Sequence, residues 1–316
     1  MKGMKMMITT VTANPAIDRT VIVENLRPGS VNRVIRSRVD AGGKGINVAK
    51  NLKNLGDEVI ALGFLGPNAQ YIIDCLEEEG IKSDFVRIKN DTRTNIKISD
   101  ILKGEVTDLN EYGPEVSKEE IELLKASIFK YAEKSKVLVL SGSLPLGVPK
   151  TFYKEVIKEL KNRDLKIILD ADNQALLYGI EERPFMIKPN VHELEDVVGK
   201  RFETLEEIIE EGKKLNKKGI EIVAISMGKE GSVVITDDAV FRVKPLKVEV
   251  KGTVGAGDAY VAGFAHGIYR GLSLEETIKI AAALSTSVVM KEGTGAGTIE
   301  EVNALKDKIE IERIER

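Results

Sequence analysis

The stretch VLVLSG, residues 137–142, has no polar residue until its last two positions. A strand with one wet face alternates apolar with polar residues, whereas an unbroken apolar run belongs to a strand covered on both sides. KIILDA, residues 166–171, repeats the pattern. Between and around these runs lie segments of helical period: GINVAKNLKNLG (45–56), AQYIIDCLEEEG (69–80), TFYKEVIKELKNR (151–163) and LEEIIEEGKKLNKKG (205–219). ITTVTA, EVIALGFLG and IEIVAISMG supply further strands between the helices. Strands and helices in alternation predict an α/β protein whose largely parallel sheet carries helices on both faces.

Two stretches break that rhythm. Residues 19–39 and 95–109 alternate with period two, have turn residues between their halves, and are followed by no helix within either unit. They predict antiparallel hairpins that combine into a small β-sheet standing off the main body as a lid. Such a sheet leaves a face to cover, which predicts a homodimer through it. A chain of 316 residues fits one large α/β unit with this small excursion as well as two domains. No repeat or low-complexity linker divides it, so residues 1–316 are read as a single unit. The charged, alternating tail KIEIERIER predicts a terminal edge strand or a frayed end.

The charges exclude several functions. Forty-seven basic and 50 acidic residues are interspersed and leave a net charge of −3, so no nucleic-acid footprint is expected and an anionic ligand must be met locally. No apolar run approaches the length of a membrane span. The opening MKGMKMMITTVTA reads as slack before a buried strand rather than a secretion signal, which predicts a cytoplasmic protein. The single cysteine, Cys75, excludes an internal disulfide and is read as core filling.

Chemistry is concentrated in the glycine-rich stretches. In TVGAGDAYVAGF, residues 253–264, a strand-like LKVEV leads into the turn Gly255-Ala256-Gly257 and then a helix, so the turn's amides point from a helix N-terminus. Asp258 sits in the first turn, where the helix dipole favours its ionised form; as a proton acceptor it would stand beside amides that hold a migrating phosphoryl group. The plainer reading, a helix cap after a tight turn, weighs about equally from the turn alone. Neither the dinucleotide fingerprint nor a P-loop matches the spacing. AGGKGINVAKNLKNLG opens another helix with Gly42, Gly43, Lys44 and Gly45, a mouth for a phosphorylated metabolite or a hinge between small sheet and body. In IKPNVHELE, Lys188 is followed by Asn190 and Glu193, three apart on one helical face. They suit the water shell of Mg²⁺ beside a nucleotide, or a capped surface helix. SMGKEG, with Ser226, Gly228 and Gly231, and SGSLPLG, opening with Ser141, end two further strands at the edge where α/β sheets carry ligands. His192 and His266 lack partners at metal spacing.

Taken in order, TANPAID, AGGKGINVAKNLKNLG, TRTNIK, SGSLPLGV, KPNVHELE, SMGKEG and TVGAGDAYVAGF resemble the PfkB branch of the ribokinase-like sugar kinases over about residues 8–305. The resemblance implies a Rossmann-like three-layer sandwich with a β lid, MgATP as donor and a sugar phosphate as acceptor. Carried over by position, Asp258 is the expected base, with Gly255, Ala256 and Gly257 as the anion hole. Asp18, Gly43 and Asn47 are implied sugar ligands; Lys44, Arg93 and Arg33 are implied partners of the acceptor's existing phosphate; Ser141 lies near the transferred one. Lys188, Asn190, Glu193 and the loop from Ser226 to Gly231 fall on the nucleotide and magnesium side. Ala13 departs from the leucine frequent in relatives, a change of packing rather than chemistry. TRTNIK followed by GEVTDLN favours D-fructose 1-phosphate over tagatose 6-phosphate or fructose 6-phosphate as acceptor. A nucleotide- or sugar-phosphate-sensing protein without chemistry is the alternative from another class.

Overall fold

In the computed structural model, which describes residues 6–291, 293 and 295–315, the continuously apolar runs become the centre of a ten-stranded sheet. Across the sheet the strands are Ile311–Glu315, Val240–Val243, Ser232–Ile235, Ile222–Ser226, Met186–Ile187, Lys166–Asp170, Ser135–Ser141, Met7–Thr12, Val59–Leu65 and Lys82–Arg87. The seven from Ile222–Ser226 to Lys82–Arg87 are parallel. The remaining three add on antiparallel.

Both faces are covered, for the reason the runs indicated. Val137 and Val139 join a core with Ile46, Leu52, Phe264 and Leu284 from helices on one side. Leu138 and Leu140, one residue out of phase, join a second core with Leu124, Phe152, Ile157 and Leu176 on the other. Strand side chains alternate between faces, so two cores demand apolar residues at every position. Each such side chain contributes about 1.5–3 kcal/mol on burial.

The small sheet has four strands, in the order Val34–Gly42, Ala16–Val23, Arg93–Asp100 and Glu105–Leu109. Its two hairpins join through a parallel pairing of Ala16–Val23 with Arg93–Asp100. The strands reach further inward than the alternation of 19–39 and 95–109 suggests, so Asp18, Gly42 and Arg93 belong to the sheet. Four short connections, residues 13–15, 43, 88–92 and 110–117, tie it to the main body.

The tail forms the edge strand Ile311–Glu315. LKVEV, in contrast, pairs with no strand among the described residues; its alternation marks an extended segment, because Val240–Val243 is already flanked on both sides. Cys75 is half-buried and packs against the first core. The slack at residues 1–5 lies outside the described residues.

Candidate active site

Parallel pairing brings the C-terminal strand ends into line: Thr12 lies opposite Ser141, and Ser141 opposite Asp170. This is the edge at which α/β sheets expose ligand-binding groups. The Ser141 hydroxyl and Asp170 Oδ2 are buried without a hydrogen-bond partner, and Asp170 Oδ1 has only ion pairs to lysines. Such groups are costly to leave unsatisfied, and their collection at one edge marks a place built to meet a ligand.

The helix Ala256–Arg270 points at the same edge. It starts because Gly255 takes a left-handed φ of 80°, and it stops at Gly271, also left-handed at 69°. Asp258, in its first turn, is 7% exposed and accepts a hydrogen bond of 2.7 Å from Asn47 Nδ2. Burial pushes the carboxyl up to about 6, the nearby Asp170 adds to this, and Asn47, Lys44 and Lys188 oppose it. The helix N-terminus, expected to favour the ionised form, is thus opposed by enclosure. Lys188 stands against the turn, since a Cβ at Gly257 would lie 3.5 Å from its Nζ, and it pairs with Asp170 at 3.3 Å.

Lys44 opens the helix Lys44–Asn54, whose face also carries Asn47. Its ammonium is 2.6 Å from Asp172 and 3.6 Å from both Asp170 and Glu193. Burial alone would lower its proton affinity, but Asp170, Asp172 and Glu193 hold it above the ordinary lysine value. Instead of waiting free for a phosphate, Lys44 is already neutralised by carboxylates. Gly43 has φ 129°, and a Cβ there would press on Thr12 and Pro15; at Gly45 it would meet the Thr12 hydroxyl at 2.5 Å. At Gly42 it would collide with the Asp18 carboxylate. The Asp18 carboxyl is raised by burial, against the pull of Asn95, which donates to it at 2.9 Å, and of Arg93.

Arg93 is lowered by burial and spends three donors on the backbone carbonyls of Asn14, Pro15 and Glu111. A guanidinium has five N–H groups, so two stay available to a ligand. Arg33 is not brought to the site within this chain. It is exposed in the connection beyond the Val23–Val34 pairing, while Asp18 and Gly42 lie at the other end of that hairpin. From Asp18 to Val23 the strand alone runs about 17 Å.

Asn190 caps the helix Val191–Val198 in a full capping box: its side chain accepts from Glu193 N, and Glu193 Oε2 accepts from Asn190 N. The plain reading of this pair is therefore realised, and Glu193 Oε1 is still left facing Lys44. Burial raises the Glu193 carboxyl, with Lys44 and Lys188 opposing. Asn190 bridges to Ser226, and the turn Gly228–Glu230 follows, with Gly228 and Gly231 at left-handed φ of 55° and 85°. His192 is exposed beside Glu195; His266 is buried, 2.7 Å from Asp57, which also binds Arg270.

Sequence reasoning passed over Asp170 and Asp172, two acids just beyond an apolar strand run; that position was their signal. It also passed over Asn14 and Ser143, whose side chains meet at 3.2 Å beside the Arg93 contacts.

The pfkB family of carbohydrate kinases matches residues 9–301. This chain belongs to that family. The 1-phosphofructokinase of Borreliella burgdorferi is 39% identical over 287 residues, spanning 90% of this chain and 92% of the relative. That of Vibrio cholerae is 37% identical over 305 residues and 96% of each chain. Among solved structures, phosphofructokinase-2 of Escherichia coli in complex with substrates and products superposes with a TM-score of 0.90 at 24% identity, over 96% of this chain and 99% of the other, a likeness of fold. The pfkB-family kinase thus has the α/β sandwich and second small sheet expected from its sequence.

Proposed function

We propose that this kinase transfers the γ-phosphoryl group of ATP to the 6-hydroxyl of D-fructose 1-phosphate, giving fructose 1,6-bisphosphate. The observation that carries the chemistry is the buried Asp258 carboxyl, held by Asn47, raised to about 6 and seated at the glycine turn beside Lys188. At pH 7 it is mostly ionised yet basic enough to take a hydroxyl proton. The names of the curated relatives favour fructose 1-phosphate as the acceptor.

In this reading Asp258 accepts the hydroxyl proton while the Gly255–Gly257 amides and Lys188 receive the charge of the phosphoryl group. Asp18 and Asn47 orient the sugar. The two unused donors of Arg93, with Ser143, face the acceptor's own phosphate, a role for which Lys44 is too fully paired; Lys44 instead positions Asp170, Asp172 and Glu193. Ser141 lies toward the transferred group. Lys188, Ser226, Gly228 and Gly231 border the nucleotide.

Among the described residues no group of three or more His, Cys, Asp or Glu is arranged to hold a metal ion. Asn190 and Glu193, whose Oε1 lies outside the capping box, would face through water a magnesium ion carried on nucleotide phosphates. When bound, the ion supplies positive charge to the phosphate oxygens.

The small sheet acts as a lid on a single kinase unit. Its outward row Val39–Arg19–Ile96–Leu109, with Val39 38% and Leu109 53% exposed, is the surface for a second copy in a homodimer. Among the described residues no helix is long and apolar enough to cross a membrane; the proposed setting is the cytoplasm, where ATP and sugar phosphates meet.

The test is ADP release with fructose 1-phosphate, tagatose 6-phosphate and fructose 6-phosphate side by side. Preference for fructose 1-phosphate is expected. Preference for either rival removes the acceptor assignment, and binding without ADP release removes the enzyme.

A further inference from the structure

The helix Lys44–Asn54 carries three asparagines, Asn47, Asn51 and Asn54, whose spacing of four and then three residues sets them in one row along a single side. The row enters the core: Asn47 is 7% and Asn51 3% exposed, on the helix that also buries Ile46, Val48 and Leu52. Amides there cost free energy unless their hydrogen bonds are made. Their partners give the row a purpose. Asn47 Nδ2 donates to Asp258 Oδ2 at 2.7 Å. Asn51 Nδ2 donates to the Asn47 carbonyl oxygen at 2.8 Å, while its Oδ1 accepts from Gly297 N at 2.9 Å. One turn on, Asn54 Nδ2 donates to the Gly297 carbonyl oxygen at 3.0 Å. Both backbone polar groups of Gly297 are therefore held by this helix.

Gly297 is itself a fixed point. A Cβ there would meet Leu284 at 2.6 Å and the Ser287 hydroxyl at 2.8 Å, so its backbone is pressed against the helix Leu274–Val289. The next residue, Thr298, caps the helix Ile299–Leu305 in a full capping box, and Ser287 donates to the Glu301 of that box at 2.6 Å. The helices bearing Asn47, Asp258 and Leu284 share the first core through Leu52, Phe264 and Leu284. Apolar contact is not directional and tolerates a roll of one helix on another; a hydrogen bond does not. A group about 5–6 Å from a helix axis moves about 2 Å in a roll of about 20°, enough to break the bond between Asn47 and Asp258.

We propose that Asn51 is a positioning residue for phosphoryl transfer: with Asn54 it fixes the roll of the helix Lys44–Asn54 on Gly297, and so holds Asn47 against Asp258. The inference rests on the proton-acceptor reading of Asp258 and names what keeps that acceptor's hydrogen-bond partner in place. The bond from Asn47 lowers the proton affinity that burial raises, so its loss has a signature. Asp170, Lys44 and Lys188 are the charges that also face Asp258. Lys44 rides on the same helix, but its long flexible stem lets the ammonium stay with its carboxylates as the helix rolls, which the short Asn47 side chain cannot match.

The test is the pH dependence of two quantities in the parent, Asn51→Leu, Asn54→Ala and, on another side of the same helix, Lys53→Ala. Urea unfolding from pH 4 to 8 reads the Asp258 proton without turnover, and the acidic limb of kcat/KM reads it in the reaction. Asn51→Leu keeps the bulk of the side chain and Asn54 is exposed, so folded protein is expected, with circular dichroism as the check. A tighter-held proton makes stability keep falling to higher pH than in the parent. Both the unfolding profile and the acidic limb should move up by about 0.5 in pH or more in Asn51→Leu, by less in Asn54→Ala, and not in Lys53→Ala. Asn51→Leu should also lose about tenfold to a hundredfold in kcat with KM for ATP unchanged. Folded Asn51→Leu and Asn54→Ala with the parent's unfolding profile, whatever their uniform loss of stability, overturn the proposal. An unfolding profile that moves while no acidic limb exists in any of the proteins supports the positioning and removes the proton-acceptor reading instead.

Discussion

Replacing Asp258 by asparagine separates what the carboxylate costs from what it does. Burial lifts its proton affinity from the ordinary 3.8 to about 6. At about 1.4 kcal/mol for each tenfold change in affinity, keeping this charge inside the fold costs about 3 kcal/mol at neutral pH. Asparagine has the same shape, carries no charge and retains a carbonyl oxygen to accept from Asn47. The folded protein binds the Asp258 proton more tightly than the unfolded chain does. Between about pH 4 and 6, then, this group makes the parent less stable as pH rises, and above about 6 the deficit is complete. Asp258→Asn should therefore exceed the parent in stability by up to about 3 kcal/mol at pH 8 and match it below about pH 4. It should also lose about 10²- to 10⁴-fold in kcat, the usual worth of a general base, at nearly unchanged KM. Urea unfolding at the two pH values and steady-state ADP release measure both quantities. A folded variant with kcat within about tenfold of the parent would refute the proton-acceptor role. A stability difference independent of pH would refute the buried-charge argument.

Activity should carry an acidic limb near pH 6, because protonated Asp258 cannot accept a hydrogen; kcat/KM measured from pH 5 to 8 checks this, and a flat profile contradicts it. Lys44→Met strips the cation from Asp170, Asp172 and Glu193 and should destabilise the fold by about 3 kcal/mol, read from denaturant midpoints. Gly42→Ala forces the Asp18 carboxylate aside. It should raise KM for the sugar phosphate by about tenfold to a hundredfold with the circular dichroism spectrum intact. Chelating free magnesium should abolish ADP release and leave the melting temperature of the ligand-free protein unchanged, since no described cluster binds the ion by itself.

The main sheet was readable because Val137–Leu140 and Ile167–Leu169 declare two buried faces in their composition. LKVEV misled for a related reason: alternation reports one covered and one exposed face, and it cannot say whether a neighbouring strand is there to pair. Asp258, Gly257, Lys188 and Asn47 could be expected near one another because each stands in or just before the first turn of a helix. The partners of Lys44 were hidden, because Asp170 and Asp172 lie at and just beyond the end of a distant strand, where they looked like the close of a core segment, and Glu193 lies in a helix further on. Arg33 lies in the connection of a hairpin whose other end carries Asp18 and Gly42, and residue type does not mark which end of a strand pair meets the main body. The Asn190–Glu193 pair was legible as two alternatives, and the structure contains the capping box with one carboxylate oxygen to spare.

The four short connections of the small sheet make it a plate fastened at four corners rather than a flap on one hinge. Residue 43 is the shortest of these fastenings, residues 13–15 include Asn14, and residues 110–117 supply the Glu111 and Tyr112 carbonyls that clasp Arg93 and Asn14. Tilting the plate must drag several of the groups proposed to face the sugar at once, so opening and disassembly of the proposed acceptor pocket are one mechanical event.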